Sequence, residues 1–105
     1  MVQYRIAERA EDSVLLQLSG ELANHFWTDH IRQLLKDPFA EEDVQTIRVD
    51  LSAVSFLDSY GVATLVSLLK ESQDRGKAFV IEGAQGQVLE KLGVTGVLKV
   101  LQKGA

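Results

Sequence analysis

In "FLDSYGVATL" (56–65) an acid and a hydroxyl stand side by side between two apolar runs. Asp58 and Ser59 there have two possible uses. Either side chain can accept a hydrogen bond from the free N–H groups of a helix's first turn and act as its N-cap. Alternatively, the Ser59 hydroxyl is displayed at the positive end of a helix dipole. A phosphate added there, with a charge of about −1.5 to −2, would be tolerated by the helix end. Beside Asp58 it would make the local potential sharply negative, leaving the fold intact and altering only what can dock. The residue types alone leave both uses open.

No other grouping offers comparable chemistry. His25 and His30 are five residues apart. On one helix, at about 100° per residue, they diverge by roughly 140° and cannot share a metal ion; both are expected on the surface. No HExxH or similar ligand spacing occurs. "GAQG" (83–86) and "GVTG" (93–96) lack the third glycine of a dinucleotide loop and the Lys-Ser/Thr of a P-loop. They read as a strand-exit turn and a helix stop. Ser59 does not fit a hydrolase elbow, which needs glycine where Leu57 stands, and no histidine follows it in the chain. A self-contained enzyme is not expected, and no cofactor or metal is called for.

Bulk properties narrow the field further. The 105 residues, 46% hydrophobic and 25% charged, suit one globular domain spanning 1–105 rather than a disordered chain. A net charge of −4 argues against a sequence-independent grip on nucleic acid. Absence of cysteine removes disulfides, thiolate metal sites and a cysteine nucleophile. "MVQYRIAERAEDS" is charged from position 5 onward and does not read as a signal peptide. No window approaches the roughly 18 apolar residues of a spanning helix, so the expectation is a cytoplasmic protein without membrane insertion.

The elements that must hold the Asp58–Ser59 corner follow from periodicity. Val2, Tyr4 and Ile6, then Val14, Leu16 and Leu18, alternate with polar residues as two strands, with turn-forming "AEDS" (10–13) between them. Gly20 is expected to end the second strand. Trp27, Ile31, Leu34 and Leu35 form a helical stripe, with Asn24 as its cap and Pro38 as its stop. Trp27 is assigned to the core, with a partly exposed aromatic surface of His25, Phe26 and His30 beside it. Residues 37–45 read as a polar connection. Ile47, Val49 and Leu51 give a third strand. Val62, Leu65, Val66 and Leu69 give the helix after the corner, ended at Gly76. "AFVIE" (78–82) fits a buried strand, and Val88, Leu89 and Leu92 a helix closed by Gly93. The tail 95–101 reads as a strand or a short helix. The order predicts a single α/β domain with a mostly parallel sheet of four to five strands, an antiparallel N-terminal hairpin and flanking helices.

The stretch "VDLSAVSFLDSYGVATLVSLLKESQDRGKAFVIEG" resembles the central segment of the STAS domain, as found in bacterial anti-sigma-factor antagonists. "GELANHFW" (20–27) is similar to that family's Gly-Glu-Leu-Asp start of a helix, and "LEKLGVTGVLKVL" (89–101) to its Leu-x-x-x-Gly-Leu ending. The resemblance implies a small switch protein, monomeric when free, with Ser59 as the phosphorylated serine. It also implies a partner surface of Asp58, Ser59, Tyr60, Gly61 and Glu21. The partner it implies is a serine-kinase anti-sigma factor, bound by the unphosphorylated form and released on phosphorylation, with a phosphatase removing the mark. Tyr60 stands where the family usually has a small Ser or Thr, and Ala23 where it has Asp. These departures suit a second role, a non-phosphorylated structural or regulatory subunit of a membrane-transport ATPase. A third is a scaffold or sensor with a small ligand.

Overall fold

The computed structural model describes residues 2–94. Strands β1 (Gln3–Arg9) and β2 (Ser13–Leu22) form the expected hairpin, placing Tyr4 opposite Leu18 and Ile6 opposite Leu16. Helices α1 (Thr28–Leu34) and α2 (Lys36–Ala40) lead to β3 (Thr46–Leu57). Helix α3 (Ser59–Asp74), β4 (Ala78–Glu82) and α4 (Gly86–Val94) complete the described chain. The sheet order is β1-β2-β3-β4, with β1–β2 antiparallel and β2–β3 and β3–β4 parallel. This is the predicted mixed α/β architecture with four strands; the tail 95–101 lies outside the described residues.

Alternation on the strands and the helical stripes meet in one core. Leu16, Leu18, Val49, Leu51 and Phe79 from the sheet cluster with Ile31, Leu35, Leu65, Leu68 and Leu69 from the helices. Trp27 is half-buried against this cluster. On alternate strand positions Arg5 donates to Gln17 (2.7 Å), and Arg48 makes a two-point contact with Glu82 (2.6 and 3.0 Å). That polar contact explains one departure from expectation. Among the described residues strand β4 is the sheet edge and carries Glu82, and only Phe79 of "AFVIE" is fully buried.

Five other boundaries differ, the first four each for a local reason. Gly20 does not end β2; its φ of +85° accommodates a shift in register, and the strand runs on to Leu22. Strand β3 continues past Ser52 to Leu57. Its buried positions there change from every second residue to Val54 and Leu57, where the same register shifts break the pleat. Helix α1 starts at Thr28 rather than Asn24, because Asn24 adopts a left-handed φ of +66° that leaves residues 24–27 outside the helix. Pro38 does not stop that helix. The break falls at Leu35, and Pro38 sits in the first turn of α2, where its missing N–H leaves no bond unmade. Gly93 lies within α4, which reaches Val94.

Candidate functional site

The carboxyl ends of β2 and β3 converge on the corner that opens α3. Asp58 is the N-cap, in extended conformation, and its Oδ1 accepts a hydrogen bond from Gly61 N–H at 3.0 Å. Its Oδ2 accepts from Asn24 N–H at 2.9 Å, tying the segment after β2 to the start of α3. Ser59 is the first helical residue and is exposed. Its hydroxyl makes no hydrogen bond among the described residues. The two uses left open by the residue types are thus divided: the acid caps the helix, and the hydroxyl is left to solvent.

Three contacts make this corner rigid. A Cβ on Gly61 would lie 2.0 Å from Leu22 O and 2.5 Å from Leu57 Cδ1, so glycine is what lets the first turn of α3 touch the end of β2. Thr64, fully buried, accepts from Trp27 N–H (3.1 Å) and donates to Tyr60 O (3.0 Å), while Trp27 Nε1–H reaches Ala23 O at 3.2 Å. The Gln87 side chain of α4 accepts from Leu57 N–H (2.9 Å) and donates to Leu57 O (2.8 Å). Pairing of β4 with β3 stops at Asp50 and Glu82, so the Gln87 amide takes the place of a missing strand at the residue before Asp58.

Of the expected site residues, Asp58, Ser59, Tyr60 and Gly61 form one continuous corner. Glu21 is exposed at the same end of the sheet, in register with Phe56. No hydrogen bond or ion pair joins Glu21 to the corner among the described residues. Ala23 is buried and contributes only its carbonyl. The spacing argument separated the two histidines by placing both on one helix. His25 lies before α1, and its ring meets His30 at 5.4 Å and Trp27 at 4.9 Å. Both imidazoles are exposed as expected. No group of three or more potential ligands for a metal occurs among the described residues. Sequence reasoning did not find Asn24 as a tie to Asp58, Thr64 as a buried link, or Gln87 as a clamp. Only Thr64 left a sign, a polar residue within the apolar stripe of α3.

Partial burial works against the charge of Asp58. The N–H groups of Asn24, Gly61 and Tyr60 and the charge of Lys91 outweigh it and hold the carboxyl below the usual carboxylate range. A carboxyl depressed on folding supplies stability above its unfolded value, about 3.9, and loses it as pH falls through the folded value. Asp58→Asn keeps an acceptor but no charge. The stability difference between wild type and this variant, from urea unfolding between pH 7 and pH 3, should therefore shrink below about pH 4. Asp58→Ala also removes the cap and should cost about 1 kcal/mol at neutral pH.

The STAS domain pattern matches residues 4–103. The chain belongs to the STAS domain family. An anti-sigma-B factor antagonist of Listeria monocytogenes is 23% identical to this STAS domain over 101 residues, 96% of this chain and 87% of the relative. The anti-sigma factor antagonist SpoIIAA, in its unphosphorylated form, matches with a TM-score of 0.67 at 20% identity, covering 87% of this chain and 82% of the other. Its phosphorylated form, from Bacillus, gives 0.66 at 20% identity over 90% and 85%. The STAS domain of a SulP transporter from Vibrio cholerae also matches, with a TM-score of 0.66 at 23% identity over 90% and 71%. At these identities the solved structures share the fold with this STAS domain. No helix among the described residues is long and apolar enough to cross a membrane.

Proposed function

We propose that this chain is an anti-sigma-factor antagonist controlled at Ser59. Unphosphorylated, it binds a serine-kinase anti-sigma factor through Asp58, Ser59, Tyr60, Gly61 and Glu21. The kinase then transfers the γ-phosphoryl group of its ATP to the Ser59 oxygen. The bond from γ-phosphorus to the bridging oxygen breaks, the hydroxyl proton passes to a base on the kinase, and ADP remains. The new charge beside Asp58 would have to be desolvated in the interface, which ends the association. A phosphatase acting on phospho-Ser59 restores the binding form. In this reading residues 1–105 act as one cytoplasmic domain, monomeric when free, with no catalysis of its own.

One observation carries the proposal: Asp58 performs the capping, so the neighbouring exposed hydroxyl has no structural duty. The Listeria relative's name as an anti-sigma-B factor antagonist agrees with it, as does the existence of a phosphorylated form of SpoIIAA. The test is intact-mass spectrometry after incubation with ATP and a serine-kinase anti-sigma factor, with Ser59→Ala in parallel. A single added phosphate, absent from the variant, is expected. Ser59→Asp should keep the thermal midpoint near wild type and weaken kinase binding. No addition by a kinase active on another substrate would overturn the proposal and favour the structural subunit of a transport ATPase.

A further inference from the structure

Four large hydrophobic residues are exposed among those described: Phe26, Phe56, Tyr60 and Leu89. Two of them touch. The rings of Phe26 and Tyr60 meet edge to face, with centroids 4.8 Å apart and planes at 72°. They come from different elements, the segment before α1 and the first turn of α3, yet the backbone beneath both is fixed. Asn24 N–H is bound to Asp58, and Thr64 joins Trp27 N–H to Tyr60 O. The two residues are 56% and 45% exposed, so each leaves apolar area to cover.

Tyr60 follows Ser59 directly. A specific interface covers about 800 Å² on each partner, a disc roughly 16 Å in radius. An interface of that area centred on the Ser59 hydroxyl takes in Tyr60, the next residue, and Phe26, whose ring meets it. Rigid aromatic side chains lose little freedom on binding and dominate interface energies when a pocket receives them.

We infer that Phe26 and Tyr60 form a two-ring anchor that selects the kinase able to reach Ser59, namely one whose docking face has an apolar recess beside its phosphoryl-transfer cleft. This rests on the reading of Ser59 as the phosphoacceptor. Both rings specify the partner and neither takes part in the chemistry.

The test uses the full chain and a serine-kinase anti-sigma factor proven active on another substrate, comparing Phe26→Ala, Tyr60→Ala, the double variant and Tyr60→Phe. Each alanine should weaken binding at least about thirtyfold, the range of a hot spot. The double variant should lose less than the product of the two, because each ring supports the other. The phosphorylation rate should fall more at limiting than at saturating substrate, so the loss falls chiefly on KM. Tyr60→Phe should bind like wild type, and all variants should keep the wild-type thermal midpoint. Alanine variants that bind as tightly as wild type would overturn the anchor and leave the phospho-switch standing. Wild type that is neither bound nor phosphorylated would overturn both, and the wild-type control tells these results apart.

Discussion

Gly61→Ala should destabilise the domain by about 3 kcal/mol, the upper end of the usual cost of overpacking. The new methyl carbon would lie 2.0 Å from Leu22 O, a backbone atom in the sheet that no rotamer change can move. The first turn of α3 would have to withdraw from the end of β2. That movement strains the tie of Asp58 to Asn24 and the Thr64 link to Trp27, both of which cross the same gap. Alanine is the better helix former by about 1 kcal/mol, so the sign of the result decides between local propensity and tertiary contact. A fall of more than about 10 °C in the thermal midpoint is expected, at roughly 4–8 °C per kcal/mol for a domain of this size. Gly93→Ala is the matched control. Among the described residues nothing lies within 4 Å of a Cβ there, so it should be neutral or stabilising.

Leu65→Ala should cost about 2–5 kcal/mol. Leu65 is fully buried on the inward stripe of α3, in the same cluster as Leu16, Leu18, Val49 and Leu51. Its loss removes apolar contact and leaves a cavity that the surrounding sheet cannot fill. Urea unfolding should show a lower midpoint with an unchanged slope. The corner, about one turn earlier, would persist in whatever fraction stays folded, so phosphate uptake per folded molecule should be unaffected. Ring removal at position 60, one turn or so earlier on the same helix, should show the reverse pattern: wild-type stability and altered docking. A loss under 1 kcal/mol for Leu65→Ala would mean that α3 is not anchored by this stripe.

Periodicity made most of the architecture legible. Alternation at Val14, Leu16 and Leu18 and at Ile47, Val49 and Leu51 marked two central strands, because one face of each lies in the core. The stripe from Val62 to Leu69 marked α3 for the same reason. It failed where backbone conformation or pairing, rather than burial, set the boundary. Asn24 carries a capping side chain and so resembled a helix start, yet its own N–H is held by a residue 34 positions later, Asp58. Pro38 looked like a stop because proline breaks helix interiors, but the preceding break at Leu35 put it in a first turn. Beyond Ser52, β3 lost its alternation where its pairing with β2 shifts register, which no single-strand pattern can report.

By itself, then, the sequence determined an α/β domain and the strand-to-helix corner at 58–61, with its acid and hydroxyl side by side. These are local properties, written in residue type, spacing and hydrophobic period. Tertiary structure alone decided that Asp58 is the cap and Ser59 is left over. It also decided that Gly61 must have no side chain, that Gln87 completes the end of β3, and that Phe26 stands against Tyr60. The last three depend on atoms brought together by chain closure across 30 residues or more. Local preference carries no record of which distant N–H, carbonyl or ring will arrive there.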